Sequence, residues 1–274
     1  MKISIITPNY NYEKYIAKTI ESVVTQSFNN IEHIIVDDGS TDNSVSIIKE
    51  YQNLYPEIIK LIQQENRGQT SALNICLKNV TGDIIGWLNS DDLYCKNTFQ
   101  IIINNFNQNK NIDAIIGNIN IIDSEGRFLK KNRYLKFDYN SGVFNGFGKV
   151  VASNAIFWRK NLSDEIDMFD ESFQFAMDSE YWSRLLYNRT VKHINFEMAN
   201  FRWHPKAKTI LRRKYNSQEN LQANKENKII FSNSYKLISL SKFFPGYLYI
   251  LPFLYYKSKR HILKLINFHY FDKR

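Results

Sequence analysis

Cysteine, proline and glycine are scarce in this chain: two Cys, five Pro and ten Gly in 274 residues. Cys76 and Cys95 are too few for a disulfide framework or a four-cysteine metal site, and they fit a reducing compartment. So little Gly and Pro excludes collagen-like and low-complexity chains. Long apolar runs are missing as well. No stretch reaches the roughly 20 residues of a membrane span. The nearest, 243–256, is broken by Pro245, Gly246 and Pro252. The apolar start at 3–8 is too short for a signal sequence and lacks a small-residue cleavage site, so no targeting segment is expected. Acidic residues are rare in the last quarter. Residues 201–274 hold 16 Lys and Arg against 3 Asp and Glu, a charge of +13, whereas 1–200 hold 20 against 24, a charge of −4. A basic segment of this kind seeks anions: nucleic acid, phosphates or an anionic membrane surface.

What is present suffices for a core: 43% hydrophobic residues, with 15% aromatic, exclude a wholly disordered chain. The first hundred residues alternate between two periodicities. Residues 3–7, 31–36, 58–62 and 84–88 read as buried strands, and 112–116 as a fifth. Between them lie helical patterns: one capped by Asn11 with Ile16, Ile20, Val23 and Val24 on a face, one capped by Thr41 or Asp42, one from Gly68, and one over 98–106. Strand–helix alternation predicts βαβ units and a mostly parallel sheet. Ligands of such sheets sit beyond the carboxyl ends of the strands. There this chain places Pro8-Asn9-Tyr10, Asp37-Asp38 and Asp91-Asp92. Beyond Gly117 the pattern predicts strands at 119–123 and 128–134, a loop over 140–148, a strand at 150–158 and a helix within 173–186.

Each cluster has a chemical reading and a plainer one. Adjacent carboxylates repel unless a cation neutralises them, and Mg²⁺ or Mn²⁺ binds through one or two carboxylates plus substrate phosphates. Asp91-Asp92 therefore suits a divalent metal holding a diphosphate; alternatively, Asp92 caps a helix near Lys96. Asp38 can accept from a nucleobase N–H with Tyr10 as a stacking face, or it belongs to a turn before a capped helix. Arg67, ahead of a helix N-terminus, suits an oxyanion, or is a solvated loop residue.

Taken in order, Ile5-Ile6-Thr7-Pro8-Asn9-Tyr10-Asn11, Gln26-Ser27-Phe28, Ile34-Ile35-Val36-Asp37-Asp38-Gly39-Ser40-Thr41-Asp42, Glu65-Asn66-Arg67-Gly68 and Trp87-Leu88-Asn89-Ser90-Asp91-Asp92 resemble the family 2 inverting glycosyltransferases, which have the GT-A fold. The resemblance covers about 1–205 and is densest over 1–100. It implies an α/β GT-A domain, Rossmann-like, at 1–205, followed by a basic, aromatic-rich helical extension at 206–274. Pro8 and Tyr10 would lie along the nucleotide, Asp38 on its base (uracil in related enzymes), and Arg67 near it. Asp91 would face the ribose and Asp92 the metal, Mn²⁺ or Mg²⁺. Asn89 stands where a full D-x-D has its first acid, which leaves open which carboxylate meets the metal. Asp178, in Phe175-Ala176-Met177-Asp178-Ser179-Glu180-Tyr181-Trp182, falls on the position of the catalytic base. Glu180 and Ser179 depart from the Asp and Tyr common among relatives, and the plainer reading of both acids is a solvated first helical turn. Phe201-Arg202-Trp203-His204 resembles the element that closes the donor site, with His204 toward the metal or diphosphate. Asn154 falls where an acceptor-side loop is expected and carries no assigned role.

The activity so implied moves a sugar from a nucleotide-diphosphate donor, a UDP-sugar by preference, to a hydroxyl of a glycan or lipid-linked glycan in bacterial surface-polysaccharide synthesis such as lipopolysaccharide or capsule. The protein is expected in the cytoplasm at the inner face of the membrane. Two cationic clusters, around Lys206–Lys214 and Lys257–Lys264, with the aromatic run between 243 and 256, suit a membrane interface; the alternative is that the aromatics pack on the domain. A nucleotidyltransferase is disfavoured because no Gly-rich, Lys-containing loop lies near the start. Nucleic acid is not an expected partner, because the body is acidic and no nucleic-acid module is recognisable. A catalytically dead relative stays open.

Overall fold

The structure, a computed structural model, describes residues 1–134, 136–205, 207 and 217–241. Four parallel strands form its first half: β1 (Ile3–Asn9), β2 (Ile31–Asp37), β3 (Ile59–Gln63) and β4 (Ile84–Trp87). β1 and β4 are buried throughout, which is why they read as unbroken apolar runs rather than alternating ones. Helices α1 (Ile16–Val24), α2 (Ser44–Leu54), α3 (Gln69–Lys78) and α4 (Thr98–Gln108) cover them. α1 and α2 close Ile16, Ile20 and Ile48 over Ile35 and Ile59. The α3 residues Ala72, Leu73 and Cys76 share a cluster with Trp87, Trp158 and Trp182. α4 packs Phe99, Ile102, Ile103 and Phe106 against Ile3, Ile5 and Phe157.

The second half is mixed. β5 (Leu93–Tyr94), β6 (Ala114–Ile122), β7 (Phe128–Asn132), β8 (Ile156–Arg159) and β9 (Val191–Arg202) extend the sheet to the order β3-β2-β1-β4-β8-β6-β9-β5, with β7 alongside β6. β6 and β9 are parallel; β8 runs antiparallel to β4 and β6, and β5 to β9. The sheet curls, since the Tyr94 ring on terminal β5 lies 5.4 Å from Phe157 on β8. Gly86 of β4 permits this closeness: a Cβ there would sit 2.6 Å from the Phe157 ring and 2.9 Å from the Tyr94 hydroxyl. Shorter helices α5 (Tyr139–Asn145), α6 (Lys160–Asp164) and α7 (Met177–Leu185) follow, and α8 (Ser217–Ser241) ends the described chain.

Several expectations are corrected. The expected strands at 112–116 and 119–123 are one: β6 continues through Gly117, where its register with β9 shifts and the missing Cβ leaves room for Met198, whose Cγ a Cβ would meet at 2.7 Å. The expected loop at 140–148 holds α5, where the Asp138 side chain accepts from the Asn140 N–H, and a 3₁₀ turn at Phe147–Lys149. The expected strand at 150–158 starts only at Ile156, after a 3₁₀ turn at Ser153–Ala155. Asn11 does not cap α1. It sits at φ 56°, and its side-chain oxygen accepts from the Thr41 N–H at 2.8 Å. Asp92 caps no helix; α4 starts at Thr98.

Among the described residues after 205, helix α8 packs on the domain. α8 buries Ala223, Glu226 and Ile230, and Ile230 joins the cluster that contains Trp182. The Phe231 ring meets Phe144 of α5 at 6.1 Å. The cationic clusters and the aromatic run 243–256 lie outside the described residues. Among the described residues, no helix is long and apolar enough to cross a membrane.

Candidate active site

The first half of the site is built where β1, β2 and β4 end. Asn9 closes β1 by donating from Nδ2 to Asp37 Oδ2 at 2.7 Å, and Asp37 also accepts from the Ser40 N–H and hydroxyl. Beside it, Asp38 is 3% exposed and already busy. Its Oδ1 accepts from the Arg67 N–H at 2.8 Å and from Gln64 Nε2, and its Oδ2 accepts from the Gly68 N–H at 2.9 Å. Asp38 thus folds the Arg67 loop onto the end of β2, leaving the Arg67 side chain exposed. Tyr10 is also exposed, at 44%, ready to offer a ring face. The Pro8 carbonyl accepts from the Ser90 hydroxyl at 2.8 Å, locking the β1 end to the β4 end.

After β4, Asn89 Oδ1 accepts from Trp87 Nε1 at 3.0 Å and from Gln69 Nε2 at 3.2 Å. The two carboxylates that follow differ. Asp92 is fully buried. Its Oδ1 accepts from the Arg202 N–H at 2.8 Å and its Oδ2 from Asn154 Nδ2 at 3.0 Å. Burial, then the neighbouring Asp91 charge, pushes the Asp92 carboxyl well above the ordinary range. Asp91 instead faces a polar and aromatic wall: its Oδ2 lies 2.9 Å from His204 Nε2. The His204 ring is held between Tyr15 at 4.9 Å and Tyr12 at 6.0 Å. Burial and then the two Asp charges raise the Tyr12 phenol far above its usual value, so it stays protonated and donates to Asp91. Arg202 braces the turn from below. Its Nε donates to the Asp91 carbonyl at 2.8 Å, Nη1 reaches the Asp123 and Ser124 carbonyls, and its guanidinium lies 4.8 Å over the Tyr15 ring.

Asp178 enters from α7 and is half-buried. Its Oδ1 accepts from the Ser179 N–H at 2.6 Å and its Oδ2 from the Ser153 hydroxyl at 3.4 Å. Ser153 and Asn154 are consecutive, so one 3₁₀ turn touches both Asp178 and Asp92. Glu180 takes no part. Arg184 binds both of its oxygens and also donates to the Asp167 and Met168 carbonyls. The solvated-turn reading thus applies to Glu180 in the modified form of a side-chain bolt. Sequence reasoning missed Tyr12, Ser153, the role of Asn154, and the role of Arg202.

A cation site among these residues has modest protein support. No group of three or more His, Cys, Asp or Glu positioned for a metal is found among the described residues. Asp91 and His204 present two donors backed by the buried Asp92, which suits a hard cation that takes its remaining ligands from phosphate and water.

A curled α/β sheet with polar strand ends gathered on one cleft, and a second carboxylate entering from a later helix, defines the GT-A class of nucleotide-sugar enzymes. The glycosyl transferase family 2 model matches residues 4–165, and the chain belongs to that family. The chain is similar to the minor teichoic acid biosynthesis protein GgaA of Bacillus subtilis, with 34% identity over 190 residues, 67% of this chain and 43% of that protein. It is 40% identical over 136 residues to GgaB of the same organism, covering 49% of this chain and 15% of GgaB. The chain thus spans less than half the length of these relatives. In fold it is similar to S. aureus TarS 1-349 in complex with UDP-GlcNAc, with TM-score 0.64, 19% identity, and coverage of 87% of this chain and 73% of that one. It is similar too to the mannosyltransferase PcManGT of Pyrobaculum calidifontis in complex with GDP-Man and Mn2+, with TM-score 0.59, 14% identity, and coverage of 96% and 80%.

Proposed function

We propose that this protein is a metal-dependent inverting glycosyltransferase that moves a sugar from a UDP-sugar to a hydroxyl of a glycan or lipid-linked glycan, in the synthesis of a teichoic-acid-type or related surface polysaccharide. One observation carries the reading. The Ser153–Asn154 turn touches Asp178 on one side and Asp92 on the other, which supports pairing Asp178, as the acid for the acceptor, with Asp91-Asp92, as the acids for the leaving group. An inverting transfer is a single in-line displacement that needs both.

In this reading Tyr10 stacks on the nucleobase and Asp38 shapes its pocket by holding the Arg67-Gly68 backbone. Pro8 and Asn89 line the nucleotide path, and Arg67 faces the phosphates. Asp91 and His204 would hold Mn²⁺ or Mg²⁺, which supplies Lewis acidity to the departing diphosphate. Of the two acids, both candidates for the metal, Asp91 takes it in this reading, because Asp92 is fully buried with both oxygens engaged by Arg202 and Asn154. Asp92 instead fixes the turn. Asp178 takes the proton from the acceptor hydroxyl as the new glycosidic bond forms. Ser153 and the Ser179 N–H aim its two oxygens.

The basic, aromatic segment beyond 241 would place the enzyme at the inner face of a membrane, where lipid-linked acceptors lie. Flotation with anionic liposomes, comparing the chain with a version ended after Ser241, tests that part; equal binding refutes it. The main reading is tested by calorimetric titration with UDP, GDP and dTDP, each with and without Mn²⁺. Metal-dependent binding of UDP supports it, and folded protein that binds none of the three overturns it.

A further inference from the structure

Among the described residues, helix α8 reaches the start of α7 through the side chain of Glu226. Glu226 is 2% exposed, although it lies on a helix beyond the expected domain end. Its carboxylate accepts three successive backbone N–H groups: Gln174 on Oε1 at 3.1 Å, and Phe175 and Ala176 on Oε2 at 3.0 and 2.8 Å. Gln222, one turn earlier, donates from Nε2 to Oε1 at 3.2 Å. Ala176 is the N-cap of α7, and that helix has no capping side chain of its own. Of the three donors only the Ala176 N–H belongs to the helix start; the other two fix the chain leading into it, and a carboxylate there is favoured by the helix dipole and by charge-assisted hydrogen bonds. Here the acceptor comes from 50 residues away in sequence.

Two residues after Ala176 stands Asp178. Its position follows from where α7 begins, because its Oδ1 is bonded to the first-turn Ser179 N–H. Ser179 Oγ in turn accepts from the Gly148 N–H at 3.0 Å, so the same turn is held from its other side. Ala223 and Ile230, flanking Glu226 on α8, are buried with Trp182 nearby in the shared core, so Glu226 rides on a packed helix rather than a loose one.

We propose that Glu226 is a positioning residue for the transfer reaction: α8 grips the 174–176 backbone through it and thereby sets the place of the Asp178 carboxylate. The inference rests on Asp178 being the base. Residues after 205 are then part of the catalytic apparatus.

The test compares the full chain with Glu226→Gln, Gln222→Met, Asp178→Asn and the double variant Glu226→Gln/Asp178→Asn. UDP release from UDP-GlcNAc with Mn²⁺ is followed, with water or a glycan as acceptor, together with hydrogen exchange over 173–180 and over 84–95. Glu226→Gln is expected to speed exchange at 173–180 and leave 84–95 unchanged. It should lower kcat about tenfold to a hundredfold, since small misplacements of a catalytic group cost that much, with UDP affinity and donor KM unchanged. Gln222→Met should do the same more weakly. The double variant should be no slower than Asp178→Asn, because the two act through one group. Unchanged exchange at 173–180, a kcat kept within about twofold, or an equal loss of UDP affinity overturns the proposal. Full activity in Asp178→Asn instead removes the base assignment itself, and the two failures are told apart by that variant alone.

Discussion

The two banks of the cleft hold their acids differently. On the proposed donor bank, Asp37, Asp38 and Asp92 are buried at or just beyond the ends of parallel strands, each accepting at least two hydrogen bonds from other segments. On the acceptor bank Asp178 is half-buried on a helix start, and its surroundings come from a 3₁₀ turn, a glycine-bearing turn and α8. One bank is a rigid frame fixed by the sheet. The other is an assembly of pieces leaning on one another. The two meet at the Ser153–Asn154 turn, which donates to Asp178 on one side and to Asp92 on the other, so a change in the assembly at that turn reaches the frame.

The sharpest way to break that comparison is Asp178→Asn. It is expected to slow transfer by about 10² to 10⁴-fold while UDP titrates as before; a rate near wild type would mean the acceptor bank has been misplaced. Asp91→Asn is next. It should abolish the difference in UDP affinity with and without Mn²⁺, read by calorimetry, yet leave folding intact, because Asp91 is the less enclosed acid. Asn154→Ala sharpens the contrast from the frame side. It leaves a buried carboxylate oxygen short of a donor, and a loss of about 1–3 kcal/mol is expected in chemical denaturation.

Acidification should reach the frame through His33 on β2. Burial pulls its imidazole down to about 3, and its Nε2 meets the Thr7 hydroxyl at 2.8 Å. The folded state therefore refuses a proton that the unfolded chain accepts near 6.5, so stability falls as pH drops from about 6.5 toward 3. Thermal melts of His33→Leu should be flatter across that window. The smallest effect is expected from Glu180→Gln, which loosens the Arg184 bridge. About 0.5–1 kcal/mol of stability is at stake there, and the transfer rate should hold steady.

The donor bank was readable in the sequence because its parts are contiguous. Asn9, Asp37-Asp38 and Asn89 to Asp92 each follow an apolar strand directly, so strand ends and side chains appear in one string. The parallel half of the sheet was legible for the same reason, whereas the GT-A fold came from family resemblance. The acceptor bank was not, because its contacts join distant residues: Ser153 to Asp178 across 25 positions, and Glu226 to Ala176 across 50. Asp178 came from family resemblance, not from its own surroundings. β9 went unseen because polar residues are mixed into it, Lys192 and His193 at its start and Asn195 and Glu197 further on, although Ile194, Phe196 and Met198 recur with a strand's period of two. β5, two residues long, leaves no periodic trace at all.

That short strand constrains what this chain can become. β4 and β5 are separated by five residues, 88–92, yet they lie at opposite ends of the run β4-β8-β6-β9-β5. The turn carrying Asp91-Asp92 is therefore the covalent clasp of a nearly closed ring of strands. Length can be added at modest cost where a turn carries neither an acid nor a brace, as at the exposed residues 107–111. A residue inserted between 88 and 92 would instead strain the ring and displace both acids at once.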